Sequence, residues 1–295
     1  MSQVLLPITD LSTWQRADDE PLGETRKRWF VEPSTDQRWL YKPNRPNRSQ
    51  DEGSCEVAAS RIAKLFGIPA ASVGLAQYGE TTGCISQNVI ADPTHEMDEA
   101  ASYLVEFTKN FNPRDKQSRG HSTATIRALL EQLQGPVGHD PTLSAADWFA
   151  GYLLFDALIG NTDRHSQNWA VETTQSGELH LAPSFDHATS LGISNRGKKR
   201  DHLLESPHLV PNFAAQATAH RFEVSSSISL EDFACSIRAR CSPHAQVHWH
   251  LQMINFPTSK AIDLLRSSRM SVPATTLAAN IIQINVERIR QCLNY

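Results

Sequence analysis

The sequence predicts an α+β chain folded in two lobes, a small strand-rich lobe at residues 1–92 ahead of a larger helical one at 93–295. Three observations predict it. Short strand-like runs split by turn residues fill the first stretch, and apolar residues at helical spacing dominate from about residue 97 onward. The 295 residues, 40% hydrophobic and 20% charged, are enough to bury a substantial core.

In order along the chain, Arg28-Trp29-Phe30-Val31 and Arg38-Trp39-Leu40-Tyr41-Lys42 read as two strands. The turn-rich Glu32-Pro33-Ser34-Thr35-Asp36-Gln37 between them makes a β-hairpin. A helix follows over Asp51 to Phe66, with Ala58, Ala59, Ile62, Ala63 and Phe66 on one face. Gly67 stops it and Pro69 follows. Ala71 to Gln77 and Gly83 to Ile90 read as two further strands. In the second lobe, Thr123 to Leu133 is amphipathic. Ser144 with Asp147 resembles a capping box before a helix running to Ile159. Leu230 to Arg240, Gln246 to Met253 and Thr275 to Cys292 add helical periods.

Composition narrows the function. A net charge of −4 argues against a dedicated nucleic-acid binder. The first residues carry no basic region ahead of an apolar run, so no secretory signal is predicted. The longest apolar stretch, Trp148 to Gly160, is interrupted by Asp156 and is too short to cross a bilayer. The 5 cysteines are scattered with no C-x-x-C pair, which predicts reduced thiols and a cytoplasmic protein.

The informative segment is Gly160-Asn161-Thr162-Asp163-Arg164-His165-Ser166-Gln167-Asn168-Trp169, which follows an apolar helix and precedes a strand-like run. Asp186 follows within Leu181-Ala182-Pro183-Ser184-Phe185-Asp186-His187. An isolated D-x-x-x-x-N is ordinarily a turn or a cap. Here it stands in a fixed order: a strand lysine, a helix glutamate, the D-x-x-x-x-N loop, then a later aspartate. Phosphoryl transfer needs those parts. Asp163 fits the carboxylate that orients an attacking hydroxyl and accepts its proton. Asn168 and Asp186 fit the oxygen ligands of Mg²⁺. Lys42 fits the cation that steadies the phosphates of ATP. Its carboxylate partner is Glu56, deeper in the apolar part of the helix than the alternative Glu52.

These residues resemble the catalytic signature of the HipA-like kinases. The resemblance is specific over residues 158–187. It is looser over Gly23 to Phe30, Trp39-Leu40-Tyr41-Lys42-Pro43, Glu56, Leu65 to Ala70 and Met270 to Ile289. It implies a two-lobed kinase fold related to the phosphatidylinositol 3/4-kinases, with Asp163 as catalytic aspartate, Asn168 and Asp186 on Mg²⁺, and Lys42 on the ATP phosphates. It also implies an adenine hinge in the backbone of Ser86 to Val89, which includes Gln87 and Val89. Longer relatives carry an extra N-terminal subdomain that helps bind an antitoxin, and the stretch before Lys42 is too short to hold it. Their toxin role is therefore not carried over, and a small antitoxin partner stays open. A multi-glycine phosphate flap is also missing, since Gly23 is the one glycine before Lys42. Thr25, Arg26 and Lys27 are the candidates for phosphate contact in its place, and Thr25 for autophosphorylation.

Several smaller signals complete the reading. Arg196-Gly197-Lys198-Lys199-Arg200 stands where an activation segment would lie and reads as a solvated loop, with engagement of an acidic substrate or phosphate as the alternative. His165 braces the catalytic loop or takes part in acid–base chemistry, and His187 orients Asp186 or packs. His244, His248 and His250 lack a completing ligand and read as incidental. Cys84 reads as a small buried apolar residue. The expectation is a serine/threonine protein kinase using ATP and Mg²⁺ on a protein hydroxyl, with no direct nucleic-acid or membrane partner. Its rivals are a lipid or small-molecule kinase and a nucleotide-binding pseudokinase.

Overall fold

The computed structural model describes residues 4–19, 27–90, 92–109, 111–224 and 227–293. In chain order the first lobe holds β1 (Ile8–Asp10), β2 (Gln15–Asp19), β3 (Arg28–Val31), β4 (Arg38–Pro43), α1 (Glu52–Phe66), β5 (Val73–Tyr78) and β6 (Thr81–Gln87). Its strands form one sheet in the order β1-β5-β6-β4-β3-β2. The β3–β4 hairpin pairs antiparallel, Arg28 opposite Tyr41, as the turn-rich connection predicts. The sequence reading did not include β1 and β2. They lie at the two edges of the sheet, where short polar strands suffice because one flank needs no partner.

One face of the sheet packs Leu11, Phe30, Tyr41, Ala76 and Ile85 into a local core. The other face receives α1, where Val57 meets Leu75 and Cys84. Helix α1 ends where Gly67 adopts φ +89°, and the Gly67 and Ile68 N–H groups both return to the Ala63 carbonyl. At its start the Asp51 side chain does not cap the helix. Its carboxylate instead accepts from Ser271 N–H and Ser271 Oγ, each at 2.8 Å. Arg200 Nη1 lies 3.5 Å from the same carboxylate.

The second lobe continues with β7 (Glu96–Glu99), α2 (Ala100–Phe107), α3 (Thr123–Leu130), α4 (Ala145–Ile159), β8 (Ala170–Thr173) and β9 (Leu179–Leu181). Strands β7, β8 and β9 make a small antiparallel sheet, so the region is not purely helical from residue 97. Then come α5 (Lys198–Glu205), a short 3₁₀ turn (Pro207–Leu209), α6 (Val210–Ala215), α7 (Leu230–Arg238), α8 (Pro243–Ile254), α9 (Thr258–Ser267) and α10 (Val272–Leu293). Helix α4 is apolar all round because it is buried all round, at the centre of the main core. Ser144 and Asp147 form the capping box at its start. Gly151 allows the Trp249 ring to lie against its middle, since a Cβ there would meet Trp249 Cζ2 at 2.2 Å.

The basic run at 196–200 is exposed from Arg196 to Lys199, as expected of a solvated segment, but it is not all loop. Lys198 onward forms α5, and Arg200 is buried, with Nε donating to Asn195 O at 2.7 Å. Among the described residues no helix is long and apolar enough to cross a membrane.

Candidate active site

Strand alternation and two glycines bring the first part of the site together. Lys42 and Cys84 stand opposite each other on β4 and β6 and therefore share the sheet face that α1 covers. A Cβ on Gly53 would lie 2.8 Å from the Gly83 carbonyl carbon, and one on Gly83 would lie 2.2 Å from the Lys42 carbonyl oxygen. Without side chains at both positions, the first turn of α1 rests directly on the strand. Glu56, one turn further on, then reaches Lys42. Its Oε1 lies 2.7 Å from Lys42 Nζ, and its Oε2 accepts from Cys84 Sγ at 3.4 Å. Glu52 turns to Arg45 instead, at 2.8 Å. Cys84 is buried but is more than an apolar filler. Burial and the neighbouring Glu56 push its thiol well up, so it stays protonated and donates.

Lys42 Nζ also lies 3.5 Å from Asp186 Oδ1. Burial works to lower the Lys42 ammonium, yet Asp186 and Glu56 beside it win and its pKa is raised. Lys42 in turn, with a smaller contribution from Lys27, holds the Asp186 carboxyl down to about 2. Asp186 adopts φ +58°, a left-handed conformation that Asp tolerates better than most residues. Lys27 thus lies close to the cluster. Thr25 lies outside the described residues.

The loop after α4 supplies the second part. Gly160 takes φ +65° and ends the helix, and Asn161 N–H returns to Asp156 O at 2.8 Å. Asn161 Oδ1 accepts from Asp163 N–H, and Asp163 O accepts from Asn168 Nδ2 at 2.7 Å. That last bond commits the amide nitrogen of Asn168, so Oδ1 is the end left to ligate. An amide oxygen and an ionised carboxylate suit Mg²⁺, which takes few ligands from protein and completes its shell with phosphate and water oxygens. His165 Nδ1 accepts from Gln167 N–H at 3.2 Å, a brace within the loop, and burial lowers its pKa.

Beneath the loop lies a buried ionic network that the sequence reading missed. Arg164 Nε and Nη2 donate to Asp156 Oδ2 and Oδ1 at 2.7 and 2.8 Å, with the two side chains only 2% and 1% exposed. Arg164 Nη1 donates to Asn168 O at 2.8 Å, and Nη2 reaches Ser184 Oγ at 2.9 Å. Ser184 Oγ lies 2.8 Å from His187 Nε2. Burial and the Arg164 charge push His187 well below its ordinary value, so it is neutral and Nε2 accepts. His187 thus faces Ser184 and Arg164 rather than bracing Asp186 directly. Ser184 N–H also donates to Pro69 O, and its carbonyl accepts from Ala71 N–H. One network therefore ties the loop carrying Asp163 to the strand end before Asp186 and to the connection after α1. Its sequence signal was the lone charge of Asp156 within an apolar helix.

A second missed residue is Arg221. It lies far along the chain between α6 and α7, and its Nη2 and Nε are 2.6 and 2.8 Å from Asp163 Oδ1. Nothing in the local sequence marked it.

The Gln87 side chain stands apart from this cluster. Gln87 pairs across β4 with Trp39, one position out of phase with Lys42, so its side chain emerges on the opposite sheet face and meets Gln37 Oε1 at 2.9 Å. Its N–H is given to Ser72 O. The Gln87 side chain thus does not join Lys42. Gln87 and Val89 line a cavity of about 460 Å³ with Lys64, Ser72, His139 and Pro183. A second cavity, of about 260 Å³, adjoins the loop after α4, and its wall mixes Thr162, Thr189 and Asn195 with the apolar Phe213, Ala217 and Ile281.

A strand-borne lysine paired to a helix glutamate, set against a loop and a later aspartate from a helical lobe, defines a two-lobed kinase-like fold. The comparisons agree. The HipA-like C-terminal domain family matches residues 15–241, and the chain belongs to that family. Its fold is similar to the crystal structure of a Helicobacter pylori proinflammatory kinase, CtkA, with a TM-score of 0.69 at 15% identity, covering 97% of each chain. It is also similar to HipA from Shewanella oneidensis MR-1, solved in a toxin–antitoxin complex with HipB and operator DNA. There the TM-score is 0.60 at 12% identity, covering 94% of this chain and 68% of that one. No curated protein matches the chain.

Proposed function

We propose that this chain is an ATP- and Mg²⁺-dependent serine/threonine protein kinase, with the catalytic work divided between residues 1–92 and 93–295. The observation that carries the reading is the convergence of Lys42, Glu56 and Asp186, with Lys42 Nζ at 2.7 Å from Glu56 and 3.5 Å from Asp186. A lysine flanked by two carboxylates keeps its charge and its direction, as a phosphate-binding cation must. When bound, Mg²⁺ would be held by Asn168 Oδ1 and Asp186 and would offset charge on the β- and γ-phosphates. Lys42 and Lys27 would meet the phosphate oxygens, and the backbone around Val89 the adenine. Asp163 Oδ2 accepts the proton of the attacking hydroxyl. The hydroxyl oxygen bonds to the γ-phosphorus as the bridging P–O bond breaks and its electron pair leaves with ADP.

By analogy with the HipA found with HipB, a small antitoxin-like partner belongs to the same reading. The test is transfer of labelled γ-phosphate by the purified chain, to itself or to dephosphorylated casein, with and without Mg²⁺. Asp163→Ala should bind ATP and transfer nothing. Transfer that persists in this variant would show that Asp163 is not the base, whereas a wild-type chain that binds ATP and never transfers it would leave a nucleotide-binding module instead.

A further inference from the structure

We propose that Arg221 is a second cation of the phosphoryl-transfer centre, orienting Asp163 and facing the charge that develops beside it. The proposal rests on the kinase reading above. Nε of the guanidinium donates to Oδ1 of Asp163 at 2.8 Å, and Nη2 lies 2.6 Å from the same oxygen. Oδ2 of Asp163 makes no hydrogen bond among the described residues and is left for the hydroxyl proton. Nη1 of Arg221 likewise has no partner among them, and the side chain is 39% exposed. A half-exposed ion pair of this kind adds little to stability, so folding does not account for the care with which it is placed.

That care is visible in the backbone. Arg221 O accepts a hydrogen bond from His121 Nδ1 at 2.7 Å, and His121 Nε2 lies 3.1 Å from Trp169 Nε1. An indole N–H can only donate. Nε2 must therefore accept, and Nδ1 must carry the proton it gives to Arg221. Burial pushes His121 down to about 4, so this tautomer is neutral and persistent near neutral pH. Trp169 directly follows Asn168, so one imidazole sets Arg221 against the metal-ligand end of the catalytic loop. Phe222 stacks on His121 with ring centroids 4.9 Å apart and packs on Phe233 at 4.6 Å. Glu223 N–H donates to His121 O, and Glu223 Oε2 accepts from Gly120 N–H at 2.7 Å. The chain is thus pinned at Arg221 and over the two residues after it, while the guanidinium itself stays open to the site.

The neighbouring cations cannot take its place. Arg164, next to Asp163 in the chain, is buried against Asp156. His165 is shifted towards its neutral form. Lys42 sits between Glu56 and Asp186. During transfer the hydroxyl proton passes to Asp163 Oδ2, the new O–P bond forms and the ADP oxygen departs with the bond pair. A guanidinium fixed at Oδ1 keeps the base aimed and offsets negative charge on the equatorial phosphoryl oxygens.

The experiment compares full-length wild type, Arg221→Gln, Arg221→Met and Arg221→Lys in steady-state transfer from ATP to dephosphorylated casein, with melting temperature and ATP affinity measured alongside. The two neutral variants should lose about 100- to 1000-fold in kcat while KM for ATP changes less than about threefold. Lysine, which keeps the charge but not the fork, should recover about tenfold of that loss. Two neutral variants are used so that misfolding of one leaves the other to decide. A folded neutral variant with kcat within about threefold of wild type overturns the proposal, as does a loss of kcat matched by an equal loss of ATP affinity. If Asp163→Asn is dead and Arg221→Gln fully active, the kinase reading stands and the Arg221 role fails. If wild type itself transfers nothing, the kinase reading fails first.

Discussion

Asp156→Ala strikes the buried pair beneath the catalytic loop and separates its two contributions. It leaves Arg164 with Nε and one edge of Nη2 facing a void at 2% exposure. No solvent reaches the guanidinium to compensate, so the cost is that of an unpaired buried charge, about 3–5 kcal/mol. For a chain of this size that is a fall in melting temperature of roughly 6–12 °C. Replacing both partners by apolar groups, Asp156→Leu with Arg164→Met, removes the stranded charge and should return stability to within about 2 kcal/mol of wild type. Transfer should not return. Asn168 O would still lack its bond from Arg164 Nη1, and Asn161 Nδ2 its 2.8 Å bond to Asp156. Asn161 orients Asp163, and a catalytic group misplaced by an ångström loses about 100-fold in rate. Differential scanning calorimetry reads the first effect and labelled-phosphate transfer the second. A single variant melting within about 2 °C of wild type, or a double variant as active as wild type, would show that the network does not hold the loop.

Acid should unfold the protein through its buried histidines as well as its carboxylates. His121 is held at about 4 against an ordinary 6.5, so its contribution is full above pH 6.5 and is lost as pH falls from there towards 4. His187 is depressed in the same direction. Denaturation midpoints measured across that window should fall by up to about 1.4 kcal/mol per pH unit for each such group. A flat profile between pH 6.5 and 5 would contradict the placement of these rings. Gly151→Ala should destabilise by about 1–3 kcal/mol, although alanine favours a helix interior by about 1 kcal/mol. The added methyl would meet the wholly buried Trp249 ring, so packing outweighs propensity, and denaturant titration gives the sign.

The first-lobe hairpin, the helix over Asp51 to Phe66 and the capping box at Ser144 were legible because they depend on local rules: alternation, periodicity, turn residues and caps. The choice of Glu56 over Glu52 was legible too, since depth in the apolar face orders the two glutamates. Local rules do not reach contacts made across the chain. Arg221 meets Asp163 from a separate loop, and no spacing encodes that. The exposure of Arg196 to Lys199 was legible from their charge, whereas the burial of Arg200, by its bonds to Asn195 and Asp51, was not. The hinge at Ser86 to Val89 was carried by resemblance to the family, and the strand phase that sends the Gln87 side chain to the face opposite Lys42 was not read. Asp156 was noticed as a break in an apolar run, and its partner Arg164 stood within the catalytic motif, yet pairing them required knowing that the chain turns back at Gly160.

The knot at Asp51 bears on how α1 is held in the protein at rest. To swing the glutamate-bearing helix outward, Asp51 must release Ser271 twice and Arg200 once. Outward movement would also uncover Ala58, Ala59, Ile62, Ala63 and Phe66, which the main core buries completely. The lysine–glutamate contact is thus built into the fold itself. Its tether runs to the opening residues of the last helix, so the far end of the chain helps set the geometry of the first lobe.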